Sequence, residues 1–137
     1  MPFHQLHYHL IWATYQREPW LTETIERQVY GTILNKAKEL DCIIHAIGGI
    51  EDHIHLATTI PPKLAVAEVI RQFKGASAHY VNHQPQAAGT FRWQRSYGAL
   101  TFGGRSMKTV VAYVRNQKEH HRQNTIIAVY ERWDAED

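Results

Sequence analysis

The sequence predicts an α+β fold, an antiparallel sheet in βαββαβ order with helices on one face, followed by a further helix. Three observations carry this. Apolar residues alternate with polar ones in the segment 4–14, and short apolar runs at 42–47 and 53–60 flank Gly48-Gly49. Apolar residues recur at helical spacing from Thr22, from Leu64 and from Met107. Turn formers, among them Pro61-Pro62 and Gly103-Gly104, fall between these segments.

Composition narrows the class. A chain of 137 residues fits one domain with a real core, and 44% apolar and 20% charged residues suit a globular protein. No apolar run is long enough to span a bilayer, and Met1-Pro2-Phe3-His4-Gln5 lacks the basic and apolar regions of a secretory signal. Cys42, the single cysteine, excludes an internal disulfide and lies in an apolar run, which suits a reducing cytoplasm. The net charge of +2 permits nucleic-acid binding without arguing strongly for it. Ten histidines is high for this length, and six form pairs: His7 with His9, His53 with His55, His120 with His121.

Leu6, Tyr8, Leu10 and Trp12 alternate with His7, His9 and Ile11, a strand that Tyr15 to Pro19 closes. The pair His7 and His9 reads as mainly structural, with a nucleic-acid contact as the minor reading. Thr22 caps a helix whose first turn holds Glu23 and Glu26. Ile25, Val29, Ile33, Leu34, Ala37 and Leu40 form its apolar face. Cys42–Ile47 and His53–Ile60 read as strands joined by the tight connection Gly48–Asp52. Leu64, Val66, Val69, Ile70, Phe73, Ala76 and Tyr80 carry a helix to about Val81. Phe91–Phe102 reads as one strand or a hairpin broken near Tyr97-Gly98. Ser106 caps a last helix through about Arg122, and residues 124–137 form a weakly helical, acidic tail.

Glu51-Asp52-His53-Ile54-His55-Leu56 is the most informative stretch. Two histidines one residue apart on a strand share a face, while Ile54 and Leu56 turn to the core. Alone, the pair reads as the polar side of a half-buried strand. It also offers two imidazoles at the spacing of a divalent metal site. On the last helix Tyr113 and Gln117 stand four apart, one above the other. Alone, Tyr113 reads as an amphipathic residue edging an interface and Gln117 as a solvated one. Together with His53 and His55 they suggest chemistry. The Gln117 amide oxygen is a hard third ligand beside two imidazoles, and a tyrosine with a pKa of roughly 10 needs a nearby cation or base to act as a nucleophile. A phosphoryl group bound to the ion would be attacked by Tyr113.

These residues resemble the single-tyrosine HUH transposases of the IS200-like insertion-sequence class, within the REP-associated tyrosine transposase superfamily. The resemblance covers nearly the whole chain. It runs through His9-Leu10-Ile11-Trp12, the histidine motif, Ile60-Pro61-Pro62-Lys63-Leu64 and Ile70-Arg71-Gln72-Phe73-Lys74-Gly75. It continues in Phe91-Arg92-Trp93-Gln94, Tyr97-Gly98-Ala99, Tyr113-Val114-Arg115-Asn116-Gln117 and His120-His121-Arg122.

The resemblance implies a ferredoxin-like sheet spanning residues 1–137, with 105–123 as a catalytic helix hinged at Gly103-Gly104 and 124–137 as a tail. It implies that Tyr113 cleaves single-stranded DNA at hairpin-marked ends, leaving a 5′-phosphotyrosine and a free 3′-hydroxyl for rejoining. His53, His55 and Gln117 would hold Mg²⁺ or Mn²⁺. The chain would act as a homodimer in the cytoplasm, at the nucleoid, with the tyrosine helix of one subunit able to complete the site of the other. Lys63, Arg71, Lys74, Arg92, Arg95 and Arg105 are the expected phosphate contacts, and Trp93 the expected stacking surface together with Tyr97. An alternative keeps the fold and hairpin binding without chemistry, in a domesticated or inactive module. Retention of every motif residue argues against it. A metal-dependent small-molecule enzyme using the histidine pair is a third reading, and it predicts no DNA affinity.

Overall fold

A computed structural model describes residues 2–87 and 89–134. The chain runs β1 (His7–Ala13), α1 (Glu23–Glu39), β2 (Ile43–Ile50), β3 (His53–Thr59), α2 (Val66–Asn82), β4 (Gly98–Phe102), α3 (Met107–Arg115) and α4 (Gln117–Gln123). The four strands form one antiparallel sheet in the order β2-β3-β1-β4, the topology expected of βαββαβ.

Alternation along the strands separates two faces. Leu10 and Trp12 of β1 stand opposite Leu56 and Ile54 of β3 and point to one side. There they bury against Val29 and Ile33 of α1 and Val69, Ile70 and Phe73 of α2. Thr22 accepts a hydrogen bond from Ile25 N at the start of α1, and Lys36 and Lys38 sit in its last turn, so local chemistry agrees with the packing. His9, Ile11, His53, His55 and Ala57 point to the other side, which α3 covers by packing Val110 and Val114 onto Ala46 and Ala57.

One cross-strand row organises that second face: Gly48 (β2), His55 (β3), Ile11 (β1) and Gly98 (β4) stand side by side. Each glycine admits a passing backbone. A Cβ on Gly48 would meet Val114 O of α3 at 2.1 Å, and a Cβ on Gly98 would meet Arg132 O at 1.9 Å.

Three expectations are corrected. The last helix is not continuous over 105–123: it opens with a 3-10 turn at Gly104–Ser106 and breaks at Asn116 (φ −101°, ψ 29°). The Asn116 side chain donates to Ala112 O at 2.8 Å, the local competition that ends helices at asparagine. Ser106 makes no side-chain cap hydrogen bond. Of the strand or hairpin expected over 91–102, only the part after the break near Tyr97-Gly98 is a strand, Gly98–Phe102. Phe91 and Trp93 instead pack inward from a loop whose one bridge joins Trp93 to Thr14. The tail, read as weakly helical, has a 3-10 turn at Ala128–Glu131 and crosses the second face over residues 124–134; residues 135–137 lie outside the described residues.

Candidate metal and nucleophile site

The site is built on β3. His53 and His55 are fully buried on the face that α3 covers. The second nitrogen of each ring has a partner. His53 Nδ1 is 2.7 Å from Asp52 Oδ1, and Arg17 Nε donates to the other oxygen of that carboxylate at 3.0 Å. His55 Nδ1 is 2.8 Å from His9 Nε2. The tautomers with hydrogen on both Nδ1 atoms leave both Nε2 lone pairs directed at the same space.

Glu131 enters that space from the tail. Its Oε1 lies 3.1 Å from His53 Nε2 and 3.3 Å from both His55 Nε2 and His121 Nε2. Glu131 Oε1, His53 Nε2 and His55 Nε2 are buried, and none is aligned for a hydrogen bond among the described residues. Their contacts are with one another and with His121, a cluster of ligand-type atoms with no other partner among the described residues. His53, His55 and Glu131 therefore fit a cation, and a metal-ligating set can be drawn from them.

Tyr113 stands beside this cluster, 3% exposed. Its ring is edge-on to His55 at 5.8 Å and stacks on His120 at 4.7 Å. Its hydroxyl donates to Glu131 Oε2 and accepts from Ile127 N at 3.0 Å. Gln117 is fully buried and opens α4. Its Nε2 donates to Tyr113 O at 3.0 Å, and its Oε1 is 3.1 Å from His121 Nε2.

Burial and neighbours set the charges. Burial, then the nearby His53 and His121, push His55 down to about 4, against the pull of Glu131. Burial, with His55 alongside, pushes His9 down to about 3. Burial also lowers His53, but Asp52 and Glu131 outweigh it and hold that ring above the ordinary histidine value. Burial would raise Glu131, yet the histidines and Tyr113 hold it well below the usual carboxylate range. Burial, reinforced by Glu131, pushes the Tyr113 phenol up to about 12. A neutral His55 offers a lone pair to a cation, whereas the phenol keeps its hydrogen at neutral pH.

The expected DNA contacts divide. Arg71, Lys74, Arg92, Trp93 and Arg95 line one cleft between α2 and the 91–97 loop. This loop joins β1 near Ala13, which stands opposite His53. Within the cleft, Lys74 has a structural task. Its ammonium donates to Gln94 O, Arg95 O and Ser96 O at 2.7, 3.3 and 2.9 Å, and burial lowers its pKa to about 8. Trp93 donates to Ser77 Oγ at 2.9 Å, and the Arg92 guanidinium lies 4.0 Å over the Tyr15 ring. Exposed Arg71 pairs with Glu68. Lys63 pairs with Asp41 outside the cleft, and Arg105 is exposed in the turn before α3.

Sequence reasoning missed Glu131, His9 and the wiring of Asp52. The second H-x-H pair was the signal for His9, and its position beside the motif the signal for Asp52. Glu131 carried none, being one acid in a short tail.

Residues 2–117 match the family model described as "Transposase IS200 like". The chain belongs to the IS200-like transposase family. Among the curated relatives of this IS200-like chain is the ISDra2 transposase TnpA of Deinococcus radiodurans, 25% identical over 121 residues, or 85% of this chain and 86% of the relative. The transposase for insertion sequence element IS200 of Salmonella typhimurium is 28% identical over 129 residues, covering 89% and 83%. A crystal structure of a candidate transposase from Deinococcus radiodurans aligns with a TM-score of 0.65 at 26% identity, covering 85% of this chain and 93% of the other. The REP-associated tyrosine transposase bound to a REP hairpin shares the fold, with a TM-score of 0.66 at 13% identity over 92% of this chain and 74% of the other. The family match ends at Gln117, so the segment carrying Glu131 lies beyond it. No helix among the described residues is long and apolar enough to cross a membrane.

Proposed function

We propose that this IS200-like transposase cleaves and rejoins single-stranded DNA at hairpin-marked ends, with Tyr113 as the nucleophile. The observation that carries this reading is the place of the Tyr113 hydroxyl: it shares one carboxylate, Glu131, with the two motif histidines. His53 and His55 would hold a divalent ion such as Mg²⁺ or Mn²⁺, which supplies positive charge to the phosphoryl oxygens. Tyr113 Oη forms the new bond to phosphorus as the bond to the preceding 3′-oxygen breaks. That oxygen takes up a proton and leaves as a 3′-hydroxyl. With its pKa near 12 the phenol still carries its hydrogen, donated in a hydrogen bond to Glu131 Oε2. Glu131 orients the hydroxyl rather than acting as a strong base, and the proton the phenol gives up on attack is the one the leaving 3′-oxygen takes up. The product keeps the phosphoryl bond on tyrosine, so a 3′-hydroxyl can attack it later without ATP. Burial on the covered side of the sheet keeps bulk water from competing.

The homodimer belongs to the same reading. Within one chain the Tyr113 ring stands 5.8 Å from the His55 ring, which supports a site completed in cis; a partner's helix supplying Tyr113 is the other arrangement of the same reading. The Gly103-Gly104 joint is the proposed hinge for strand exchange. Neither glycine is needed for packing, as an added Cβ meets nothing within 4 Å at Gly103 and only the Gln5 side chain, at 3.6 Å, at Gly104.

The test is a covalent adduct. With Mn²⁺ or Mg²⁺ and a hairpin-ended single-stranded oligonucleotide, the wild-type chain should form a protein–DNA species stable to denaturant. Tyr113→Phe should form none while still shifting the hairpin in a gel. Cleavage by Tyr113→Phe would overturn the assignment. Hairpin binding by a wild-type chain that never forms the adduct would favour the binding module.

A further inference from the structure

We infer that Glu131, rather than Gln117, is the third protein ligand of the ion site, and that the bound ion ties the tail to the sheet. This rests on the reading of His53 and His55 as metal ligands, and it assigns a new role to residues 124–134.

The first argument is spacing. Two donors about 2.1 Å from one ion, at angles near 90–100°, stand about 3.0–3.2 Å apart. Glu131 Oε1 stands 3.1 Å from His53 Nε2 and 3.3 Å from His55 Nε2. The second is what these atoms do otherwise. All three are buried and face one another at ion-pair distance, with no aligned hydrogen bond to any other group among the described residues, while the far nitrogens of both rings are fixed by Asp52 and His9. Outer contacts of that kind orient metal-ligating histidines.

The third argument concerns Gln117. Its amide nitrogen holds Tyr113 O and its amide oxygen faces His121 Nε2. Both ends are thus engaged, one by the α3 backbone and one by His121, whose Nε2 also faces Glu131 Oε1, and the side chain also meets the Tyr113 hydroxyl, which makes Gln117 a positioning residue for Tyr113 and His121.

The fourth is that the tail seats Glu131 at several points. Ile127 N donates to the Tyr113 hydroxyl, and the Tyr130 ring meets His9 at 4.7 Å. Trp133 lies 5.7 Å from the His53 ring, and Arg17 sits 4.7 Å over it. The Arg132 carbonyl passes over Gly98. The Glu131 carboxylate therefore bridges: Oε1 faces the imidazoles and Oε2 holds the Tyr113 hydroxyl. A ligand that also grips the nucleophile fixes their separation.

The experiment measures Mn²⁺ binding to the ion-free chain by calorimetry, without DNA. Glu131→Gln should weaken Mn²⁺ at least tenfold, and Gln117→Leu, which keeps the side-chain volume, less than threefold. Mn²⁺ should also slow tryptic cleavage after Arg122 and Arg132 in the wild-type chain but not in Glu131→Gln. Wild-type Mn²⁺ affinity in Glu131→Gln would overturn the inference, and so would an equal loss in a Gln117→Leu chain whose ion-free melting temperature shows it folded. If Gln117→Leu does not fold, the Glu131→Gln arm decides alone. A chain that binds Mn²⁺ through Glu131 but forms no DNA adduct would sink the proposed reaction and leave this inference standing.

Discussion

At the scale of single residues, the site depends on which nitrogen of each ring is engaged. Asp52 holds His53 Nδ1 and is itself held by Arg17. Asp52→Ala should leave the fold intact, since Asp52 lies in the turn before β3 and outside both apolar clusters. It should lower Mn²⁺ affinity about 10- to 100-fold, the usual cost of losing such a partner. A metal titration beside a melting curve checks this; unchanged affinity would mean that His53 needs no orienting group. The motif histidines were legible because period two in a strand is a strong signal. Glu131 was not, because nothing local in Tyr130-Glu131-Arg132-Trp133 says which surface the segment will cross. The contact of Lys74 with the loop was hidden for a related reason. A helix lysine facing solvent and one capping a distant loop look alike until the 91–97 loop is placed above it.

Among the elements, α3 is seated most closely. Its backbone passes so near β2 that Gly48→Ala would put a Cβ 2.1 Å from Val114 O. Backbone cannot yield as a side-chain tip can, so α3 must lift from the sheet. The expected cost is about 1–3 kcal/mol, with a marked loss of adduct formation and the β2–β3 pairing retained. Adduct yield read beside circular dichroism tests this, and full activity would show that α3 adjusts without moving Tyr113. The element boundaries reveal where pattern reading stops. α1 and α2 emerged nearly whole because helical spacing agrees with the Thr22 cap of the first and with Pro61-Pro62 before the second. The break at Asn116 was hidden because Val110, Val111, Val114, Gln117 and His121 continue a helical repeat straight through it. The loop 91–97 imitates a strand because alternate aromatics serve equally well to peg a loop to a core.

Over the whole molecule, the two faces of the sheet have different duties. One holds the core of Leu10, Trp12, Ile54, Leu56 and Phe73 against α1 and α2. The other holds the histidines, α3 and the tail. Damage to the first should lower stability and leave the second's chemistry unchanged in the molecules that remain folded. Phe73→Ala should cost about 3–5 kcal/mol in urea unfolding, with Mn²⁺ affinity unchanged at low temperature. A parallel loss of affinity would mean that the faces are not separable. The strand order was legible because βαββαβ admits few arrangements of short connections. The covering of the second face was not, since it depends on two glycines whose task only a neighbouring backbone reveals.

The row Gly48–His55–Ile11–Gly98 has a consequence for timing. Every strand of the row is translated before residue 103, whereas the helix and the strap that the glycines admit come from residues 107–134. At the usual pace of synthesis, about 5–20 residues per second, that gap lasts on the order of seconds. A nascent chain thus displays its imidazoles before Tyr113 and Glu131 exist to be set beside them.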